Sequence, residues 1–167
     1  MTPDIPDDAS QPLHLIQAAR PEHLVDARRL FEEYAASLNF NLCFQNFAGE
    51  LAGLPGEYGP PDGRLLLAYC QSQAIGCVAL RKVEERVCEM KRLYLQPAWR
   101  GRGWGRRLAE AVLAEARRAG YERMRLDTVD SMIAALELYR SLGFRPIPAY
   151  RFNPLPGAQY LEADLVG

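Results

Sequence analysis

The stretch Arg92-Leu93-Tyr94-Leu95-Gln96-Pro97-Ala98-Trp99-Arg100-Gly101-Arg102-Gly103-Trp104-Gly105-Arg106-Arg107 joins a strand-like apolar run to a turn in which three glycines alternate. From Leu108 to Ala119 the apolar residues recur at helical spacing, so the turn lies at a strand-to-helix junction. Glycine lets backbone N–H groups turn toward a ligand with no Cβ in the way. The N-terminus of the following helix adds partial positive charge, which suits a phosphate. The four arginines of the turn add more. The junction reads as a cradle for a pyrophosphate.

Working outward, the remaining elements alternate in type. Leu13 to Ala18 predicts a strand. Pro21 and Glu22 then open a helix whose apolar positions Leu24, Ala27, Leu30, Phe31, Tyr34 and Leu38 share one face. A short helix is expected over 44–54 and a loop over 55–63, where glycine and proline cluster. Arg64 to Cys70, Ala74 to Val83 and Arg86 to Leu95 predict an antiparallel meander ahead of the cradle. After the long helix come a strand over 123–128, a helix over 131–142 stopped by Gly143, and strands over 144–152 and 159–165. Residues 1–12, rich in proline and acid, read as a disordered tail, and 13–167 as a single mixed α/β domain.

The chain has 167 residues, enough to bury a substantial core, and a formal net charge of −1. Residues 1–63 hold ten acidic and three basic side chains, and residues 91–125 hold ten basic and three acidic ones. That asymmetry suits an anion at one region and cations at the other. No apolar run reaches the roughly 20 residues that span a bilayer. The first residues lack the basic and apolar parts of a signal peptide, so a cytoplasmic location without membrane attachment is the expectation. Cys43, Cys70, Cys77 and Cys88 form no CxxC pair and lie far from His14 and His23, so no metal site is expected and the thiols read as core residues.

From about residue 13 to 165 the chain resembles the GNAT superfamily of N-acetyltransferases. The acyl-CoA signature of that family is similar to Arg100-Gly101-Arg102-Gly103-Trp104-Gly105 after Leu93-Tyr94-Leu95. A second family signature, Ala-x-x-x-Tyr-x-x-x-Gly-Phe, appears as Ala135 to Phe144. Two positions depart from the pattern: Trp104 stands where a small aliphatic is common, and Met132 where asparagine is common. The resemblance implies a mixed, mostly antiparallel sheet of about six to seven strands with helices on both faces. It also implies acetyl-CoA as donor, a primary amine of a small molecule or peptide as acceptor, and direct transfer without metal. Homodimers are common in the family.

The resemblance distributes the chemistry over named residues. Backbone N–H groups from Arg100, Gly101, Arg102, Gly103, Trp104, Gly105 and Arg106 would hold the diphosphate, with the Arg102 and Arg106 side chains adding charge. A backbone N–H within Leu93, Tyr94 and Leu95 would meet the oxyanion. Glu89 matches a family base position, against the plainer reading of a partner for Lys91 or Arg81. Tyr139 would return a proton to the departing thiolate, against the plainer reading of a core aromatic. For the acceptor the sequence offers Phe40, Asn41, Phe44, Phe47 and Tyr58 beside Glu32, Glu33, Glu50 and Glu57. These suit an amine cation or, equally, a core. Tyr150, Arg151 and Asn153 are candidates for the pocket floor.

Three rival readings make distinct predictions. A dinucleotide-binding domain needs G-x-G-x-x-G early in a βαβ unit, whereas G-x-G-x-G here follows a meander. A nucleic-acid module would use the basic segment, but no stacking motif accompanies it, so no nucleic-acid partner is expected. A CoA-binding sensor without catalysis keeps the fold and loses the turnover.

Overall fold

The computed structural model describes residues 12–166. The expected N-terminal tail falls almost wholly outside them. The elements are β1 (Leu13–Gln17), α1 (Pro21–Ser37), α2 (Phe47–Ala52), β2 (Arg64–Cys70), β3 (Gln73–Glu84), β4 (Val87–Leu95), α3 (Trp104–Arg118), β5 (Arg123–Val129), α4 (Ile133–Ser141), β6 (Arg145–Pro146) and β7 (Ala158–Asp164). Single 3₁₀ turns at Cys43–Gln45, Gly56–Tyr58 and Pro97–Trp99 punctuate the loops.

The seven strands form one sheet in the order β1-β2-β3-β4-β5-β7-β6. Every neighbouring pair is antiparallel except β4 and β5, which run parallel. Alternating strand residues feed two cores, as the two-residue period of a strand requires. Leu66, Ala68, Val78, Leu80, Cys88 and Met90 pack with α3 and α4 through Leu108, Val112, Leu136 and Tyr139. Leu65, Leu67, Cys77 and Ala79 pack on the other face with Ala27, Leu30 and Phe31 of α1. Helices therefore cover both faces.

One expected strand is largely missing. The run 144–152 contributes only Arg145 and Pro146 to the sheet, plus a hydrogen bond from the Ile147 N–H to the Tyr160 carbonyl at 2.9 Å. Pro146 and Pro148 have no N–H to give to a ladder. The chain then turns over the sheet instead of along it, carrying Tyr150 and Arg151 onto the α1 face, where Arg125 lies against the Tyr150 ring at 5.3 Å.

The sheet opens between its two parallel strands. Their ladder joins only Val87–Glu89 to Arg123–Arg125. Past Glu89, β4 stays paired with β3 as far as Leu95, and β5 stays paired with β7 as far as Val129. A bulge marks the parting. Partners Lys91 and Tyr94 are adjacent to Ala79 and Cys77 across a register shift, and Arg92 sits at φ 62°. An extra residue there raises the local twist and turns β4 away from β5. Gly76 lies at the far end of this pairing, opposite Leu95. A Cβ at Gly76 would stand 2.9 Å from the Tyr94 carbonyl oxygen, so a larger residue would push β4 off β3.

Candidate functional site

At the end of β4 the glycine-rich turn leads into α3. Gly101 (φ 86°) and Gly103 (φ 80°) adopt the left-handed backbone that only glycine takes freely, and Gly103 is the N-cap of α3. The Arg100 N–H is used within the 3₁₀ turn, donating to Pro97 at 3.2 Å. The N–H groups of residues 101–106 make no hydrogen bond to a described residue, and the first helical donor is Arg107, to the Gly103 carbonyl at 3.2 Å. Six consecutive donors are thus left beside a helix N-terminus, an arrangement that fits a diphosphate.

The side chains of the turn have their own partners. Arg100 donates through Nε to the Leu95 carbonyl at 2.9 Å, and its guanidinium lies over the Tyr94 ring. Trp104 stacks on Trp99 with centroids 5.6 Å apart, and the Arg102 guanidinium lies against both rings at 5.5 and 5.6 Å. The unusual tryptophan therefore stiffens the turn and holds Arg102 beside it. Arg106 links α3 to α4 through Ser141 and pairs with Glu110 at 3.4 Å.

Three cavities run in series through the opening in the sheet. A groove of about 860 Å³ lies against Leu93, Tyr94, Leu95, Gly101, Gly103 and Gly105 on one side and residues 131–135 on the other. It meets a smaller cleft of about 90 Å³ between the parted strands, sharing Tyr34, Phe40, Leu93, Met132 and Ala135 with it. Tyr139 and Asp127 line that cleft. A third cavity, of about 350 Å³, meets the cleft at Gln45 and Lys91.

Tyr139 is buried against Phe144, and its hydroxyl makes no hydrogen bond to a described residue. Burial raises its pKa above the usual phenol value. Met132 receives a hydrogen bond at its sulfur from the Thr128 hydroxyl, 3.6 Å away, and stands where the groove meets the cleft.

Glu89 lies on the α1 face of β4 with no solvent exposure. Its carboxylate accepts from Arg81 Nε at 3.0 Å and from the Tyr150 hydroxyl at 2.6 Å. It also pairs with Arg151 and lies 3.8 Å from Lys91 Nζ. The pairing with Lys91 and Arg81 that the sequence suggested is present, and the carboxylate lines none of the three cavities.

The aromatic and acidic residues of the α1–α2 region have a different occupation from the one expected. The cation they hold is the protein's own Arg92. It lies against Phe47 and Tyr34 at 5.2 and 6.0 Å and bonds Glu50 twice, at 2.9 and 3.1 Å. Tyr58 donates to the same Glu50 at 2.6 Å. Glu57 pairs with Arg81, Glu33 accepts from Gln96 at 3.0 Å, Asn41 accepts from the Cys43 N–H, and Glu32 is exposed. Phe40 alone of the expected aromatics lines groove and cleft; the Phe44 side chain is outside the described set. Tyr150 and Arg151 reach Glu89, while Asn153 donates to Asp127 at 3.0 Å and lines the cleft.

Sequence reasoning passed over Arg81, Lys91, Arg92 and Asp127 as site residues. The available signal was polar alternation inside otherwise apolar strands: Glu89 and Lys91 on β4, Arg125 and Asp127 on β5. Two-residue spacing puts each pair on one face. Because Arg92 is the bulge residue, Lys91 and Arg92 both meet the α1–α2 segment, through Gln45 and Glu50, although they are neighbours in sequence.

The comparisons agree with this architecture. The profile of the Acetyltransferase (GNAT) family matches residues 25–144. An uncharacterized N-acetyltransferase of Schizosaccharomyces pombe is 37% identical over 147 residues, which cover 87% of this chain and 90% of that protein. Among solved structures, an acetyltransferase of the GNAT family from Staphylococcus aureus superposes with a TM-score of 0.76 at 15% identity, covering 93% of this chain and all of its own. An acetyltransferase from Salmonella typhimurium, solved with its cofactor acetyl-CoA, superposes with a TM-score of 0.65 at 18% identity, covering 92% and 94%. The overall fold is shared with both structures. The chain belongs to the GNAT family.

Proposed function

We propose that the chain transfers an acetyl group from acetyl-CoA directly to a primary amine. The observation that carries this reading is the juxtaposition of the parted β4 and β5 with six N–H donors at the start of α3 that make no hydrogen bond to a described residue. The groove beside them falls in the ordinary size range of ligand sites. Residues 101–106 hold the diphosphate, and the bulged end of β4, Leu93 to Leu95, supplies the N–H for the developing oxyanion.

The amine nitrogen attacks the thioester carbonyl from the cleft; the C–N bond forms, the C–S bond breaks, and one proton is released overall. An amine of pKa about 10.4 arrives as a cation. Asp127, its side chain 7% exposed and lining the cleft, is the carboxylate placed to meet it. Glu89, shut off from the cleft and already bonded to Arg81, Arg151 and Tyr150, is better suited to organise those groups than to touch the amine. Tyr139 serves the departing sulfur as a hydrogen-bond donor. Full proton transfer from a phenol of pKa about 10 to a thiolate of about 8.5 is uphill by roughly 2 kcal/mol, and burial raises that further.

Thiol release from acetyl-CoA, measured against a panel of amino acids, diamines, aminoglycosides and peptides, tests the reading. Acceptor-dependent release is expected. Tight acetyl-CoA binding with no release for any acceptor would instead make the chain a sensor of the same fold.

A further inference from the structure

The third cavity carries an unbalanced charge. Arg81 comes from β3, Lys91 from β4 and Arg151 from the loop between β6 and β7, and all three line it. They converge on one buried carboxylate, Glu89, at 3.0 Å for Arg81, 3.8 Å for Lys91 and in direct contact for Arg151. Three cations on one anion leave an excess of two. Glu50 and Glu57 also line the cavity, but each offsets little of that excess. Glu50 is committed to Arg92 by two hydrogen bonds. Glu57 meets Arg81, but its side chain is 70% exposed, and water screens such a pair. Asp127 lies 3.9 Å from Arg151 on the cleft side and is bonded by Asn153.

The crowding shows in the groups themselves. Burial first, then the charges of Arg92 and Arg81, bring the Lys91 ammonium down to about 8. Burial and Arg81 bring Arg151 down to about 10. Buried like charges are costly unless a counter-ion shares their space. Two guanidiniums and an ammonium around a cavity of about 350 Å³ suit a carboxylate, which accepts several hydrogen bonds at once. Cavity and cleft meet at Lys91 and Gln45, which are themselves joined at 3.0 Å. An anionic group in the cavity thus belongs to the molecule whose amine enters the cleft. The cleft adds one carboxylate, Asp127, beside Lys91 and an Arg92 already committed to Glu50.

We propose that the acceptor is an amino acid, held as a zwitterion, with its carboxylate among Arg81, Lys91 and Arg151 and its amine beside Asp127 in the cleft. This rests on the transferase reading. It replaces the pocket for a simple amine cation that the sequence suggested, since of the carboxylates offered for that purpose Glu33 and Glu50 are bonded within the chain and Glu32 and Glu57 are exposed.

Matched acceptors test it on the unmodified protein: a set of free amino acids, the amide of each, the decarboxylated amine of each, and dipeptides bearing the same N-terminal residue. For at least one amino acid of the set, kcat/KM exceeds that of its amide and its amine by about tenfold or more, the usual worth of a charge-assisted contact. The matching acid without the amine inhibits competitively against the acceptor and not against acetyl-CoA. In Arg151→Gln the preference for that amino acid over its amide, as the ratio of their kcat/KM values, falls about tenfold, and Arg151→Lys recovers part of the loss. Acetyl-CoA affinity, measured by calorimetry, reports whether each variant is folded. Equal use of acid and amide throughout the set, or preference for the dipeptides or carboxylate-free amines, overturns the proposal and leaves the transferase reading standing. Release with no amine at all overturns both.

Discussion

At one end of the opening in the sheet, the groups offered to a ligand are backbone N–H donors of six consecutive residues, 101–106. At the other end they are side chains from the β3–β4 hairpin, from β5 and from the loop after β6, brought together from distant parts of the chain. Backbone recognition asks of the sequence mainly that glycine stand where φ is positive. Side-chain recognition asks for particular charges that only the fold brings together. The two ends should therefore fail independently, and substitutions offer ways to break that independence.

The largest effect is expected where the acceptor end is anchored. Arg92→Met leaves Glu50 without its buried partner and should cost about 3 kcal/mol of stability, read as a lower denaturation midpoint at unchanged slope. Acetyl-CoA affinity should hold in the folded fraction while the acceptor KM rises, because α2 loses its tie to β4 through Glu50. An equal loss of acetyl-CoA affinity would break the comparison.

Next comes the junction between the ends. Tyr139→Phe should lower kcat by about 10- to 100-fold, the worth of one hydrogen bond to a charged group, and leave the Kd for acetyl-CoA nearly unchanged. Unchanged turnover would leave Tyr139 as a core aromatic against Phe144.

At the donor end, Gly103→Val places a branched side chain at φ 80° and should cost about 1–2 kcal/mol locally. The expected readout is a Kd for acetyl-CoA weakened by about tenfold, with the acceptor KM unmoved. A shift in the acceptor KM of the same size would show that the ends are coupled.

The smallest effect has the opposite sign. Lys91 has a folded pKa of about 8, below the value of about 10.4 in an unfolded chain. Between those values the unfolded chain binds the extra proton, so stability rises with pH across the window. Lys91→Met should therefore stabilise the protein by about 1 kcal/mol at neutral pH, an advantage lost as pH rises from about 8 to 10.4, while weakening use of carboxylate acceptors. Thermal melts of both proteins across that range check the sign.

Legibility followed the same division. Strand β2 matches its expected span, and β3, β4, β5 and β7 fall within a residue of theirs, because period-two burial is written locally. Helix α3 begins at Trp104, earlier than the apolar period from Leu108 indicated, since its first turn is occupied by glycine and arginine. The strand expected over 144–152 shrank to two residues because its prolines withhold donors and its polar side chains are drawn to Glu89.

By itself the sequence determined the order of elements, the family signatures and the phosphate turn, since each depends on residues close together along the chain. Only the tertiary structure decided that the aromatics near α2 hold Arg92, that Glu89 gathers three cations, and that Asp127 faces the cleft. The first of those outcomes follows from the slip at Arg92, which turns Lys91 and Arg92 to one face, and the others need β3, β5 and the loop after β6 in place. A bulge is a property of paired strands, and its consequences appear only when the partner strand and the covering loop are in place.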